Sequence, residues 1–239
     1  MKKNIKRAIA ILILAVSLAE ASPSSAISNY KVLTLGDSIT AGMDDKNGWV
    51  GNLVSNLDKL LKKSGYKWEF LGDYSRDNIT RYQGDGGFCL ASIKYKCSTN
   101  TFKKQASIMQ LYLDYHKKNP SKIDLFIIQG GINDINSAGG VNPPPEPIIS
   151  MKALISTIRK DYPDSLIVLQ GITRPTLDSL ELSYNKKLAN LKMKKVYYVD
   201  TTKANKDSYF IDGLHPNSEG YKAFARINFD QMRRLKIIK

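Results

Sequence analysis

The run "KIDLFIIQGG", residues 122–131, decides the fold. From Leu125 to Ile128 it is apolar without interruption, and it halts at Gln129 and two glycines. A strand apolar on both faces must be covered on both faces, as happens to parallel strands in a sheet layered with helices. The flanking segments supply those covers. Upstream, "FKKQASIMQLYLDYHKKNP" (102–120) reads as a helix ended by Pro120. Downstream, after the prolines of 143–147, Ile148, Met151, Ile155 and Ile158 recur at helical spacing.

The alternation continues in both directions. "YKVLTLG" (30–36), "WEFLGD" (68–73), "SLIVLQG" (165–171) and "KVYYVD" (195–200) read as strands. "GWVGNLVSNLDKLLKKSG" (48–65) carries Trp49, Leu53, Leu57 and Leu60 on one helical face, with Gly65 as its stop. "SYNKKLANLKM" (183–193) reads as a helix, and a last helix follows Pro216 with Tyr221, Phe224, Ala225, Met232 and Leu235 inward. Between residues 73 and 102 a long Gly-rich loop holds both cysteines. Strands separated by helices imply parallel pairing, so the expectation is one three-layer α/β/α domain around about five parallel strands. "GGVNPPPEP" (139–147) is expected to be a rigid loop inside that domain.

The first residues have a different character. "MKKNIKR" is basic, Ala8 to Ala19 is an apolar run short for a membrane span, and small residues follow. This order reads as a secretory signal peptide over residues 1–21, with cleavage as late as residue 26, rather than as an uncleaved anchor. Residues 22–29 read as a disordered lead-in and 30–239 as the folded domain. The expected location is therefore extracellular or periplasmic, with no stable membrane insertion after cleavage. In an oxidising compartment the two cysteines, Cys89 and Cys97, are expected to form one disulfide closing a small loop.

The formal net charge is +14. Residues 1–21 hold four cations and one glutamate, which leaves +11 on the rest. Lysines are scattered along the chain rather than blocked, which argues against a nucleic-acid partner and leaves attraction to anionic polymers or membrane surfaces open. The oligomeric state is not legible.

In open α/β sheets, sites form beyond the carboxyl ends of the strands. There the sequence places "GDS" (36–38), "QGDGG" (83–87), "GGIND" (130–134) and "DGLHP" (212–216). These are the parts of a serine acyl hydrolase. A serine hydroxyl needs a neutral imidazole to take its proton, and a carboxylate on the other ring nitrogen fixes the tautomer. The chain has two histidines. His116 sits at a helix end beside two lysines and reads as a surface histidine, whereas His215 lies three residues after Asp212. Asn133 can supply a side-chain amide to an oxyanion. A lone site histidine without clustered ligands is a poor metal site, and no cofactor is implied.

Together these blocks resemble the SGNH (GDSL-type) hydrolases: "GDSIT" matches the nucleophile block, "GIND" the Gly-x-Asn-Asp block and "DGLHP" the Asp-x-x-His block. The resemblance runs from Tyr30 to the final helix. It implies a flavodoxin-like fold, Ser38 as nucleophile, His215 as base and Asp212 as its orienting acid. It also implies an oxyanion hole from the Ser38 backbone N–H, a second-block glycine and Asn133. That glycine aligns best as Gly87, with Gly84 and Gly86 as alternatives. "RYQGDGGFCLASI" is similar to a segment of secreted acetylxylan-type carbohydrate esterases, but Gln83 and Phe88 replace a glutamate and a tryptophan there. The implied activity is a secreted serine esterase removing short acyl groups, acetyl foremost, from a polysaccharide. The alternatives are a lipase or lysophospholipase on the same fold, and a non-catalytic carbohydrate-binding relative.

Overall fold

The computed structural model describes residues 30–43, 52–75, 80–90, 107–137 and 146–238. The signal peptide, the lead-in, Trp49, Cys97 and most of the 139–147 loop lie outside the described residues. The proposed pairing of Cys89 with Cys97 therefore lies outside them too. Among the described residues, no helix is long and apolar enough to cross a membrane.

The five expected strands are all present: β1 (Tyr30–Gly36), β2 (Trp68–Leu71), β5 (Leu125–Gln129), β6 (Leu166–Gln170) and β7 (Val196–Val199). Two more fall inside the stretch read as loop, β3 (Tyr74–Ser75) and β4 (Arg81–Gly84), and they extend the expected sheet to seven strands among the described residues. The reason lies in the length of β1. β2 pairs with Tyr30–Leu33 only, and β4 takes over beside Leu35 and Gly36. Without β4 those buried backbone groups would lack a sheet partner on that edge. β3 pairs with β4 antiparallel; all other pairings are parallel.

The sheet order is β3-β4-β1-β5-β6-β7, with β2 beside the first half of β1. The chain thus leaves β1 toward one edge and returns to its other side with β5. That reversal is the topological switch point, where open α/β sheets form their crevice.

Side-chain alternation sorts the strands onto two cores. Leu33, Leu35, Phe126, Ile128, Ile167 and Leu169 face one layer, while Val32, Leu125, Ile127 and Val168 face the other. The first layer is built by α3 (Ile108–Lys118), α5 (Pro147–Asp161) and α6 (Ser179–Ala189), the second by α2 (Leu53–Lys63) and α7 (Ser218–Arg234). Two short helices, α1 (Ser38–Ala41) and α4 (Ile132–Asn136), follow β1 and β5 directly.

Caps fix the helix starts. Asn52 accepts Ser55 N–H, Ser107 accepts Gln110 N–H, and Asn217 accepts from Glu219 and Gly220. α6 begins four residues before the stretch read as helical. Asp178 and Glu181 form a reciprocal capping box there, and Asn190 closes the far end.

Candidate active site

The two short helices and the turn before α7 bring the three motif blocks together at the carboxyl ends of β1 and β5. Asp37 caps α1, its Oδ1 accepting the Ile39 N–H at 3.0 Å. Gly42, in the left-handed region at φ +84°, ends that helix after one turn. Ser38 is its first residue and is only 6% exposed. Gly36 must be glycine: a Cβ there would lie 2.0 Å from Thr40 Oγ1 and 2.8 Å from the Gln129 carbonyl.

The histidine arrives from the other side of the sequence. The backbone bridges Phe210 to Pro216 and Ile211 N–H bonds His215 O, closing a turn with Gly213 at φ +75°. Asp212 builds this turn and wires it. Its Oδ1 accepts the N–H groups of Leu214 and His215 at 2.9 and 2.7 Å, and its Oδ2 lies 2.6 Å from His215 Nδ1. A carboxylate accepts, so Nδ1 carries the proton and Nε2 presents a lone pair. That lone pair faces Ser38 Oγ at 2.9 Å. The partial burial of Asp212 works to raise its pKa. The His215 N–H, the His215 ring and the Leu214 N–H outweigh that and hold the carboxyl below its ordinary value.

The second block runs beside the end of β1. Gly84 pairs with Gly36, and Asp85 N–H bonds the Gly36 carbonyl. Asp85 also takes the Gly86 N–H, and Gly87 turns the chain at φ +73°. α4 then grips the next stretch at two points: Asn133 Nδ2 donates to Phe88 O at 3.0 Å, and Asp134 accepts Leu90 N–H at 2.9 Å. Tyr184 from α6 supports α4 from behind. Its hydroxyl donates to Gly130 O, and its ring fills the space a Cβ on Gly131 would need.

The fold thus links the expected Ser38, His215 and Asp212 directly, and ties Asn133 to the residue after Gly87, on the segment that bonds Gly36, with His116 elsewhere. The motif blocks did not disclose the buried layer beneath them. Gln129 bridges Asp37 and Thr40, and Asp37 is wholly buried. Burial pushes the Asp37 carboxyl up to about 7. The Ile39 N–H and the Gln129 amide oppose that, and Asp134 adds to it. The signal available in sequence was a polar Gln129 ending an otherwise apolar strand. Among the described residues, no three His, Cys, Asp or Glu side chains are grouped so that they could hold a metal ion.

A family model described as GDSL-like lipase/acylhydrolase matches residues 34–223. A multidomain esterase from Ruminococcus flavefaciens is 28% identical over 264 residues, covering 96% of this chain. The chain spans 32% of that relative's length. Among solved structures, a family 3 carbohydrate esterase from Clostridium thermocellum is similar with a TM-score of 0.63 at 24% identity, over 87% of this chain and 98% of that one. A family 3 carbohydrate esterase from Talaromyces cellulolyticus also gives 0.63, at 18% identity, over 88% and 100%. These two likenesses establish the shared fold.

Proposed function

The chain belongs to the GDSL-like lipase/acylhydrolase family, and from that premise we propose that it is a secreted serine esterase that removes short acyl groups, acetyl foremost, from a polysaccharide. The observation that carries the chemistry is the unbroken chain from Ser38 Oγ through the His215 ring to Asp212, at 2.9 and 2.6 Å.

In this reading Ser38 Oγ attacks the acyl carbon while His215 Nε2 takes its proton. Asp212 stabilises the imidazolium that forms. The oxyanion is met by the Ser38 and Gly87 N–H groups and by Asn133, whose amide is oriented by its bond to Phe88 O. Collapse of the tetrahedral species releases the alcohol, which leaves with the proton from His215. Water then repeats the sequence on the acyl-enzyme and returns the free serine and a carboxylic acid. A lost oxyanion donor of the Asn133 kind costs about 3 kcal/mol in the transition state.

The substrate class draws on the sequence likeness of residues 81–93 to carbohydrate esterases and on the names of the relatives. Secretion draws on the basic, apolar and small-residue order of residues 1–26. A Cys89–Cys97 disulfide belongs to the same reading. The test is an acyl-length series of p-nitrophenyl esters followed by acetate release from acetylated glycans. The expected result is the highest kcat/KM at the two-carbon acyl group, with acetate released from at least one glycan. A kcat/KM that climbs with acyl length would transfer the chain to the lipase reading.

A further inference from the structure

We propose that Gln129, outside every motif block, is a positioning residue that sets the nucleophile by clamping the turn on both sides of Ser38. The inference rests on the serine-esterase reading above.

The observation is a bridge with both ends occupied. Gln129 Nε2 donates to Asp37 Oδ2 at 3.3 Å, and Gln129 Oε1 accepts the Thr40 hydroxyl at 3.3 Å. Asp37 immediately precedes Ser38, and Thr40 follows it by two residues. All three partners are buried. The bridge therefore ties the end of β5 to the two residues that bracket the nucleophile.

The turn needs such a tie. α1 has four residues, and its own backbone bonds are those of a single turn: Ala41 N–H to Asp37 O, then Gly42 and Met43 N–H to Ser38 O. A helix that short does not hold itself. Its place comes from tertiary contacts, and these converge on Thr40. Thr40 Cγ2 would sit 3.0 Å from a Cβ on Gly84, and Thr40 Oγ1 2.0 Å from one on Gly36. Gln129 is the polar member of that contact set. While Asp37 is ionised, turning the amide over would set its oxygen against the Asp37 carboxylate, where two acceptors would meet. In the orientation observed, the bridge holds both flanks of the turn and so sets where Ser38 Oγ meets His215 Nε2. Misplacing a reacting atom by about 1 Å can cost on the order of 10²-fold in rate.

Two variants test this. Gln129→Met keeps length and apolar bulk but removes both bonds. Thr40→Val keeps shape and removes only the Thr40 end, so it still reports should the first not fold. The expected result for Gln129→Met is a kcat lower by roughly 10- to 100-fold with KM within about twofold of wild type. The rate of Ser38 phosphonylation by a fluorophosphonate should fall in parallel. Thr40→Val should show the same pattern, reduced to several-fold. A folded Gln129→Met with wild-type kcat, or a rise in KM at unchanged kcat, overturns the inference. So does a folded Thr40→Val with wild-type kcat where Gln129→Met does not fold. Ser38→Ala separates this from the parent reading. If that variant is inactive while Gln129→Met is unimpaired, only the clamp fails; if Ser38→Ala stays active, the serine-esterase reading fails.

Discussion

The two ends of the sheet carry the same three kinds of side chain, wired differently. At the carboxyl ends lie Ser38, His215 and Asp212; near the amino ends lie Ser165, His116 and Asp161. A cleft of about 420 Å³ opens beside the second set, lined by Asp161, Tyr162 and Ser165. Yet Ser165 donates its hydroxyl to Ile123 O, His116 Nδ1 bonds the Tyr162 hydroxyl at 2.9 Å, and Asp161 accepts Tyr112 OH at 2.5 Å. The His116–Asp161 separation is 3.7 Å, and none of these bonds joins the serine to the histidine. The three types are present, but each spends its hydrogen bonds on the scaffold. At the carboxyl end, each spends them on the next member of a chain. Connectivity, rather than composition or cleft size, is what separates the two ends, and the proposed proton transfer rests on it.

Exchanging the histidines breaks the comparison most sharply. His215→Ala should lower kcat by on the order of 10⁵- to 10⁶-fold. His116→Ala should leave kcat within about twofold and cost stability instead, because it strips Tyr162 of a partner and a ring contact. Esterase assays and urea melts on both variants decide it; a dead His116→Ala beside an active His215→Ala would assign the chemistry to the wrong histidine.

Asp212→Asn should be milder, on the order of 10³- to 10⁴-fold. Its amide oxygen can still accept the Leu214 and His215 N–H groups. Its N–H₂ cannot accept from Nδ1, so the ring turns to the tautomer that protonates Nε2. The turn survives while the base is lost, and a crystal structure of an inactive but undisturbed variant would show this. Wild-type turnover in Asp212→Asn would remove Asp212 from the chain.

The smallest effect concerns stability and pH, and it sets Asp212 against the buried Asp37. Asp37 titrates near 7 in the folded state against an ordinary value of 3.8, so the native state holds its proton more tightly. Its contribution is full below about pH 4 and is lost as pH rises toward 7. Asp212, held below its ordinary value, contributes above that value and loses its contribution as pH falls through the lowered one. Urea midpoints at pH 5 and 7.5 should therefore fall with rising pH in wild type and fall less in Asp37→Asn. Gln129 can present its oxygen to the new amide, because the Thr40 hydroxyl also accepts. Equal pH slopes in the two proteins would mean that Asp37 is ionised in the folded state throughout.

Much of this was legible in the sequence because it is local. Mostly apolar runs marked the five expected strands, and each motif block follows a strand or lies in the turn before the last helix. β4 escaped notice because "RYQG" is mostly polar and carries no apolar run, and only the uncovered half of β1 makes it a strand. The start of α6 was recoverable from Asp178 and Glu181, which have capping-box spacing, but the apolar pattern around Tyr184 and Leu188 points later. The Gln129 bridge could not be read, since it spans 92 and 89 residues of sequence and depends on strand register. The same holds for the unwired set at the amino end, whose members look equally chemical on paper.

Ser38, and no other hydroxyl, is the proposed nucleophile. Incubating the protein with a fluorophosphonate and mapping the adduct by peptide mass spectrometry tests it directly. One adduct per chain is expected, on Ser38, formed in step with loss of esterase activity and absent from Ser38→Ala. An adduct on Ser165 or another residue, or full activity in Ser38→Ala, would contradict it.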